Sequence, residues 1–403
     1  MRRFHTLIFA LAALLAAVVG AAPEAAIQRP SRIVAIGDIH GSFDGFVSIL
    51  KATGLIDGSN RWSGGQTHLI QTGDYMDRGE GQRAVMDLLM SLEQQADDAG
   101  GGALALLGNH EVMNLVRETR DVTREIFATF AGPDSEKRRV QAWENYAKLA
   151  AHKKDKGEPV PSVYAQTRQA WMTTHPPGFV EYMEAMGPRG KYGEWLRGKP
   201  MVVNVDGNIF MHAGIPPDKT PATLDELNAQ LRMEIQRLDK FVAQLIDRKL
   251  ATAEFTLNEI LQVASSEIGL ANAVIAAAKA EGKEADRRRI NVPLLMEAQE
   301  VLKIDGWLAI DNDGALWYRG LATVKDDASG EPFASVLKKL GARRFVTGHT
   351  PQPNRSITVR FGGRAILIDT GMLASVYKGR PSALEIAGDT LTAYYTDGKT
   401  ELR

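Results

Sequence analysis

The 403-residue chain contains no cysteine. That absence excludes disulfides, thiolate metal ligands, a cysteine nucleophile and a lipid-modified N-terminal cysteine, so any metal site here must be built from nitrogen and oxygen. A chain of this length can bury enough apolar surface to be stable without covalent staples. Excess charge of one sign is also missing. The 48 Lys and Arg are balanced by 49 Asp and Glu, for a net charge of −1, which gives no long-range attraction to nucleic acid or an anionic membrane surface. The basic clusters Lys137-Arg138-Arg139, Lys153-Lys154 and Arg287-Arg288-Arg289 have acidic residues close by and read as solvated helix faces. There is no internal repeat and no low-complexity tract.

The one long apolar run lies at the start. Met1-Arg2-Arg3 is followed by an apolar stretch from about Leu7 to Val19 and then by Gly20-Ala21-Ala22, the charged, apolar and small-residue regions of a secretory signal peptide. Cleavage is expected after Ala21, leaving a secreted or periplasmic protein with no stable membrane anchor. A spacer then runs over residues 22–30, and residues 31–403 read as one catalytic domain.

Within that domain, Arg32 to Val116 reads strand, helix, strand, helix, strand. Phe43, Phe46, Val47 and Leu50, and then Val85, Leu88, Leu89 and Leu92, recur at helical spacing between apolar runs, a pattern of β-α-β units around a parallel core. Two helical insertions are expected, at about 117–199 and 220–300. Strand signals resume around the Asp206-Gly207 turn and again at 345–347, 357–359, 365–368 and 391–395. Thr223 with Glu226 opens the second insertion as a capping-box pattern, and Leu227, Leu231, Ile235, Leu238, Val242 and Leu245 give it an apolar stripe that reads as packing. The aromatic residues of the first insertion read the same way.

Five short segments supply hard or borderline metal ligands just after apolar runs: Gly37-Asp38-Ile39-His40-Gly41, Gly73-Asp74-Tyr75-Met76-Asp77-Arg78-Gly79, Gly108-Asn109-His110-Glu111, Met211-His212-Ala213-Gly214 and Gly348-His349-Thr350. In open α/β sheets ligands collect beyond such strand ends. Asp74 is the natural bridge between two cations. Asp38 and His40, two residues apart, converge on one ion, and Asn109, His212 and His349 complete the other. Two divalent or trivalent ions are expected, manganese first, with iron or zinc as alternatives, since the donor set is nitrogen and oxygen. Such a pair acidifies a bridging water and neutralises phosphoryl oxygens. His110, oriented by Asp77, suits the general acid for a leaving alkoxide. Arg78, with Asn109 and Arg319, would contact the phosphate. His68, His152 and His175 have no ordered partners and read as structural or surface residues.

In this order, from residue 37 to residue 349, the segments resemble those of the phosphoprotein phosphatases within the calcineurin-like metallophosphoesterases. The resemblance implies an α/β sandwich of two mixed β-sheets flanked by helices, with a dinuclear site on loops at the strand ends. It also implies the same residue roles: Asp38, His40 and Asp74 on one metal, Asp74, Asn109, His212 and His349 on the other, Asp77 and His110 as acid pair, and Arg78 on phosphate. His212-Ala213-Gly214 departs from the His-Gly-Gly of the eukaryotic serine/threonine enzymes. Gly348-His349-Thr350-Pro351-Gln352 with Asp369-Thr370-Gly371-Met372 is similar to the Shewanella-like branch, some members of which prefer phosphotyrosine.

The expected activity is hydrolysis of phosphoprotein or phosphopeptide monoesters. A dinucleoside tetraphosphatase or other small-molecule phosphohydrolase is the enzyme alternative, and a non-catalytic metal-binding partner module is the alternative of a different class.

Overall fold

The computed structural model describes residues 30–402 except 156, 158, 159, 285–289 and 328. The expected signal segment at 1–21, the spacer up to residue 29 and the 287–289 basic cluster lie outside the described residues. The chain opens with β1 (Ile33–Ile36), α1 (Phe43–Ala52), β2 (His68–Gln71), α2 (Gln82–Asp98) and β3 (Gly102–Ala105), and β1, β2 and β3 pair in parallel. Then come α3 (Asn109–Leu115), α4 (Arg124–Phe130), α5 (Ser135–Asp155), α6 (Arg168–Thr174), α7 (Phe179–Met186) and α8 (Lys191–Arg197). The Asp206-Gly207 turn joins β4 (Val202–Val205) to β5 (Asn208–Met211), antiparallel as the dipeptide predicts.

Among the described residues five α-helices follow: α9 (Leu224–Asp247), α10 (Leu257–Ala280), α11 (Val292–Val301), α12 (Gly320–Thr323) and α13 (Phe333–Lys339). The chain closes with β6 (Arg344–Thr347), β7 (Thr358–Arg360), β8 (Ala365–Leu367), α14 (Ala374–Tyr377), β9 (Ser382–Ala387), β10 (Thr390–Tyr395) and β11 (Gly398–Glu401). The strands form two mixed sheets, ordered β11-β10-β9-β1-β2-β3 and β4-β5-β6-β8-β7.

Alternation along the strands assigns each side chain to a layer. Ile33 and Ala35 of β1 meet Phe210, Val346, Ile366, Leu384 and Ile386 in a core between the sheets, whereas Val34 and Ile36 face the helices with Phe46, Leu50, Val85 and Leu89. Each fully buried large apolar side chain of this kind contributes roughly 1.5–3 kcal/mol. The sequence does not announce β9 or β11. Ser382, Ala383, Glu385 and Ala387 are poor strand formers, and β9 is a strand because it lies between β1 and β10, antiparallel to both.

The insertion helices are capped and packed locally. Thr223 Oγ1 accepts from Glu226 N at 3.3 Å, but Glu226 Oε2 accepts from Ala222 N at 2.8 Å, so the reciprocal half of the expected box falls one residue early. A complete box starts α10, where Glu259 Oε2 accepts from Thr256 N at 2.9 Å. The stripe from Leu227 to Leu245 is buried throughout. In the first insertion the buried Tyr146 packs on Trp171 and Phe255, and the buried Phe179 and Tyr182 pack on Phe127. His175 stacks on Trp171 at 3.9 Å between ring centres, a packing role. By length and composition α10 could cross a membrane, although its first turns, Leu257, Ile260, Val263 and Ala264, are buried in this domain.

Candidate metal centre

The expected ligand segments all begin where parallel strands stop, and both sheets contribute. Asp38 follows β1, Asp74 follows β2, Asn109 opens α3 after β3, His212 follows β5 and His349 follows β6. The backbone turns sharply at these points: His40, Asp74, Asp77, Arg78 and His349 all have positive φ, between 46° and 69°. For non-glycine residues each such conformation costs on the order of 1–3 kcal/mol and persists only where the surroundings impose it.

Glu111 imposes much of it. Its fully buried carboxylate accepts from the backbone N–H of Asp74 (2.7 Å), Tyr75 (2.9 Å), Met76 (3.0 Å) and Gly108 (2.8 Å). Gln71 ties the neighbouring loops together, donating to the carbonyls of Gly37 and Gly73 and accepting from Gly73 N. Two glycines are required by close approach. A Cβ at Gly108 would lie 2.3 Å from Asp74 Oδ1, and one at Gly348 would lie 2.1 Å from Asp38 Oδ1.

The donor atoms form two groups that share Asp74. One atom each of His40, Asp74 and His110 lie within 4.8 Å of one another, as do one each of Asp74, His212 and His349. Asp74 Oδ2 is 3.6 Å from His40 Nε2 and 3.2 Å from His212 Nε2. His212 Nε2 is also 2.8 Å from Asn109 Oδ1 and 2.9 Å from His349 Nδ1. Asp38 joins the first group through His40, with Oδ2 at 3.9 Å from Nε2, while its Oδ1 accepts from His349 N at 2.9 Å.

Second contacts set the ring orientations. His40 Nδ1 is 2.9 Å from the Met76 carbonyl and His212 Nδ1 is 3.2 Å from that of Thr72. Each imidazole therefore turns Nε2 inward, as metal-ligating histidines do. His349 is turned the other way, with Nε2 3.0 Å from the Trp317 carbonyl and Nδ1 inward.

The electrostatics of this donor set suit cations. Burial drives His40 down to about 3 and His349 to about 2, so both are neutral and have a free lone pair. Burial, then Asp369 and Asp74, push Asp38 well above the usual carboxylate range. Burial works against ionising Asp74 too, but the histidines around it, His212 foremost, hold it well below that range. Neutral imidazoles beside crowded carboxylates fit metal ions, whose charge offsets the repulsion.

His110 is set apart by its partner. Its Nδ1 donates to Asp77 Oδ2 at 2.8 Å, leaving Nε2 facing Asp74 Oδ2 at 3.9 Å. Burial alone pushes His110 down, yet the charge of Asp74 and the bond to Asp77 prevail and hold it up at about 9. Asp77 is itself fixed by Asn114 Nδ2 at 2.9 Å, and Tyr182 donates to Asn114 Oδ1. Arg78 reaches the same space, with Nη1 3.4 Å from His40 Nε2 and its guanidinium 5.5 Å from the centre of the Tyr377 ring. Arg319 sits at the edge, donating to the carbonyl of His349 at 2.9 Å and to the Thr350 hydroxyl at 3.2 Å.

All eight residues expected as metal ligands or acid pair, together with Arg78, thus converge, and Arg319 borders them. The sequence assigns no role to Asn114, Tyr182 or Tyr377, and Glu111 and Asp369 stand in its motif segments without one. Asp369 is buried with Oδ1 accepting from Gly371 N and, among the described residues, Oδ2 without a hydrogen-bond donor. It follows the apolar run 365–368, the same signal that marked the other ligands. Nothing short-range marks Tyr182, 68 positions from Asn114.

A sequence profile for calcineurin-like phosphoesterases matches residues 31–254. An uncharacterised protein of Schizosaccharomyces pombe is 29% identical over 366 residues, covering 90% of this chain and 80% of its own. Shewanella-like protein phosphatase 2 of Arabidopsis thaliana is 30% identical over 216 residues, covering 51% of this chain and 52% of its own. Among solved structures, the cold-active protein-tyrosine phosphatase of a psychrophilic Shewanella has a similar fold, with a TM-score of 0.51 at 21% identity over 92% of this chain and 80% of that one.

Proposed function

The chain belongs to the calcineurin-like phosphoesterase family, and from that premise we propose that it is a protein phosphatase that holds two metal ions and cleaves phosphomonoesters of phosphotyrosine, phosphoserine or phosphothreonine. The observation that carries this reading is the shared position of Asp74 between two inward-facing groups of nitrogen and oxygen donors. The Arabidopsis relative's name, a protein phosphatase, supports the substrate class. Asp38, His40 and Asp74 would hold one ion, and Asp74, Asn109, His212 and His349 the other, with manganese the expected metal and iron or zinc the alternatives. When bound, the ions supply a nucleophile at neutral pH and positive charge for the phosphoryl oxygens.

The chain's own groups do the rest. Arg78 offers a planar fork for two phosphoryl oxygens, and the Tyr377 ring steadies it. His110 carries its proton on Nε2, because Nδ1–H is committed to Asp77, and that proton goes to the departing alkoxide or phenoxide. Without metal, the charge of Asp74 and the bond to Asp77 raise His110 to about 9, so it is charged at neutral pH, and the Asp77 bond is the part that does not depend on the shared ligand. Asn114 and Tyr182 keep Asp77 from rotating away. The N-terminal sequence supports export to the periplasm or beyond.

The test is phosphate release from phosphopeptides compared with diadenosine tetraphosphate, using metal-loaded protein. Turnover of peptides with little of the dinucleotide is expected. The reverse ranking would move the substrate to a nucleotide and overturn the protein-phosphatase reading.

A further inference from the structure

Arg120 stands at the mouth of the site and has none of the roles described above. It lies in the loop after α3, and its side chain is 56% exposed. Three contacts locate it. Its guanidinium lies over the Trp317 ring, 5.9 Å from the centre, and the Trp317 carbonyl is the partner of His349. Its Nη2 is 3.9 Å from Met113 Sδ, which is 4.0 Å from Nδ2 of Asn109. Asp121 links it to Arg78: one carboxylate oxygen is 3.9 Å from Arg78 Nε, the other is 3.8 Å from Arg120 Nε, and the Asp121 carbonyl accepts from Arg78 N at 3.2 Å. Arg120 therefore borders the Asn109 and His349 half of the donor set and is paired, across a single carboxylate, with Arg78, which reaches His40 in the other half.

Its donors are unspent. Glu118 and Asp121 approach the guanidinium only to 3.9 and 3.8 Å, beyond hydrogen-bonding range. Among the described residues its side-chain N–H groups meet only the Met113 thioether, a weak acceptor. A guanidinium held against an aromatic face with its fork open is pre-set for two-point binding of an oxyanion. The phosphoryl group itself is served by Arg78 and the metal positions.

We propose that Arg120 is a specificity-determining residue that binds a second anionic group on the substrate, a carboxylate or another phosphoryl group placed a short way along the peptide from the one being removed. An extended peptide advances about 3.3 Å per residue, so an acidic group one to three residues from the phosphorylated one spans two guanidiniums that share a carboxylate. The proposal rests on the protein-phosphatase reading, and the Asp121 carboxylate supplies its selectivity, since it repels an anion that does not reach either arginine's fork.

The experiment measures kcat and KM of metal-loaded full-length protein on matched phosphotyrosine and phosphoserine peptides whose flanking residues are alanine, aspartate or a second phosphoserine. Wild type should favour an anionic flank by roughly tenfold in kcat/KM, expressed in KM. Arg120→Glu should reverse that order, and Arg120→Lys should restore part of it. Turnover of p-nitrophenyl phosphate by the same preparations shows that each variant is folded and loaded. Indifference of wild type to the flank, or a preference that survives Arg120→Glu, overturns the assignment alone. Turnover of p-nitrophenyl phosphate with no turnover of any peptide overturns the protein-phosphatase reading and this one with it. A gain with aspartate, with phosphoserine or with both supports the assignment and identifies the oxyanion.

Discussion

His110 Nδ1 and Asp77 Oδ2 are 2.8 Å apart, both buried, and Asp77 is held from its other oxygen by Asn114. The pair fixes the tautomer of a histidine whose other nitrogen faces the shared metal ligand. Replacing Asp77 with Asn removes the charged acceptor of Nδ1, which together with the charge of Asp74 keeps His110 protonated. Turnover should fall by roughly 10²- to 10³-fold for alkyl phosphates and much less for p-nitrophenyl phosphate, whose leaving group needs no proton. An equal loss on both substrates would exclude the acid role.

The same pair makes the metal-free protein sensitive to base. His110 is raised to about 9 from an ordinary 6.5, so folding favours its protonated form. The stabilisation is fully present below pH 6.5 and disappears as pH rises through 9. Chemical denaturation of metal-free wild type and Asp77→Asn across pH 6–10 should show the wild-type advantage shrinking towards the alkaline end. An advantage that grows with pH would contradict the assignment.

Glu111 serves the site without touching its donors. Glu111→Gln puts an amide in place of a carboxylate that accepts four backbone N–H groups. A loss of about 3 kcal/mol in stability is expected, because buried donors are left facing a donor. Metal affinity measured by calorimetry should fall with it, since the strained Asp74 turn then relaxes. Wild-type affinity in a stable variant would refute the positioning role.

Gly348→Ala tests packing around Asp38. The added methyl would lie 2.1 Å from Asp38 Oδ1, so the carboxylate must move away from His349 N. Metal content should drop to one ion or fewer per chain by elemental analysis, with the secondary structure seen by circular dichroism retained. Two tightly bound ions in this variant would show that Asp38 is not a ligand.

Much of this site was legible in the sequence because strand ends are. Ile33–Ile36, His68–Gln71, Asn208–Met211 and Arg344–Thr347 are short buried strands, and the polar residue after each has nowhere to go but the sheet edge. Asp369 carries the same signal and stands in a segment that marks the family branch, but no histidine accompanies it to suggest a ligand or acid role. Tyr377 closes the four-residue helix α14 and Arg120 lies in a loop, segments too short or irregular to show a periodicity, and their places depend on contacts with His40 and Trp317 far along the chain. The central strand β9 was hidden for a related reason: its residues have little strand propensity, and pairing with β1 and β10 supplies what composition does not.

The most direct measurement is metal stoichiometry and phosphopeptide turnover followed together in metal-depleted protein as Mn²⁺ is added back, for wild type and Asp74→Asn. Asp74 lies between the two donor groups, so wild type should take up two ions and gain activity as the second binds, while the variant should bind fewer and stay inactive. Full activity with a single ion, or two ions and undiminished turnover in Asp74→Asn, would contradict a shared dinuclear centre.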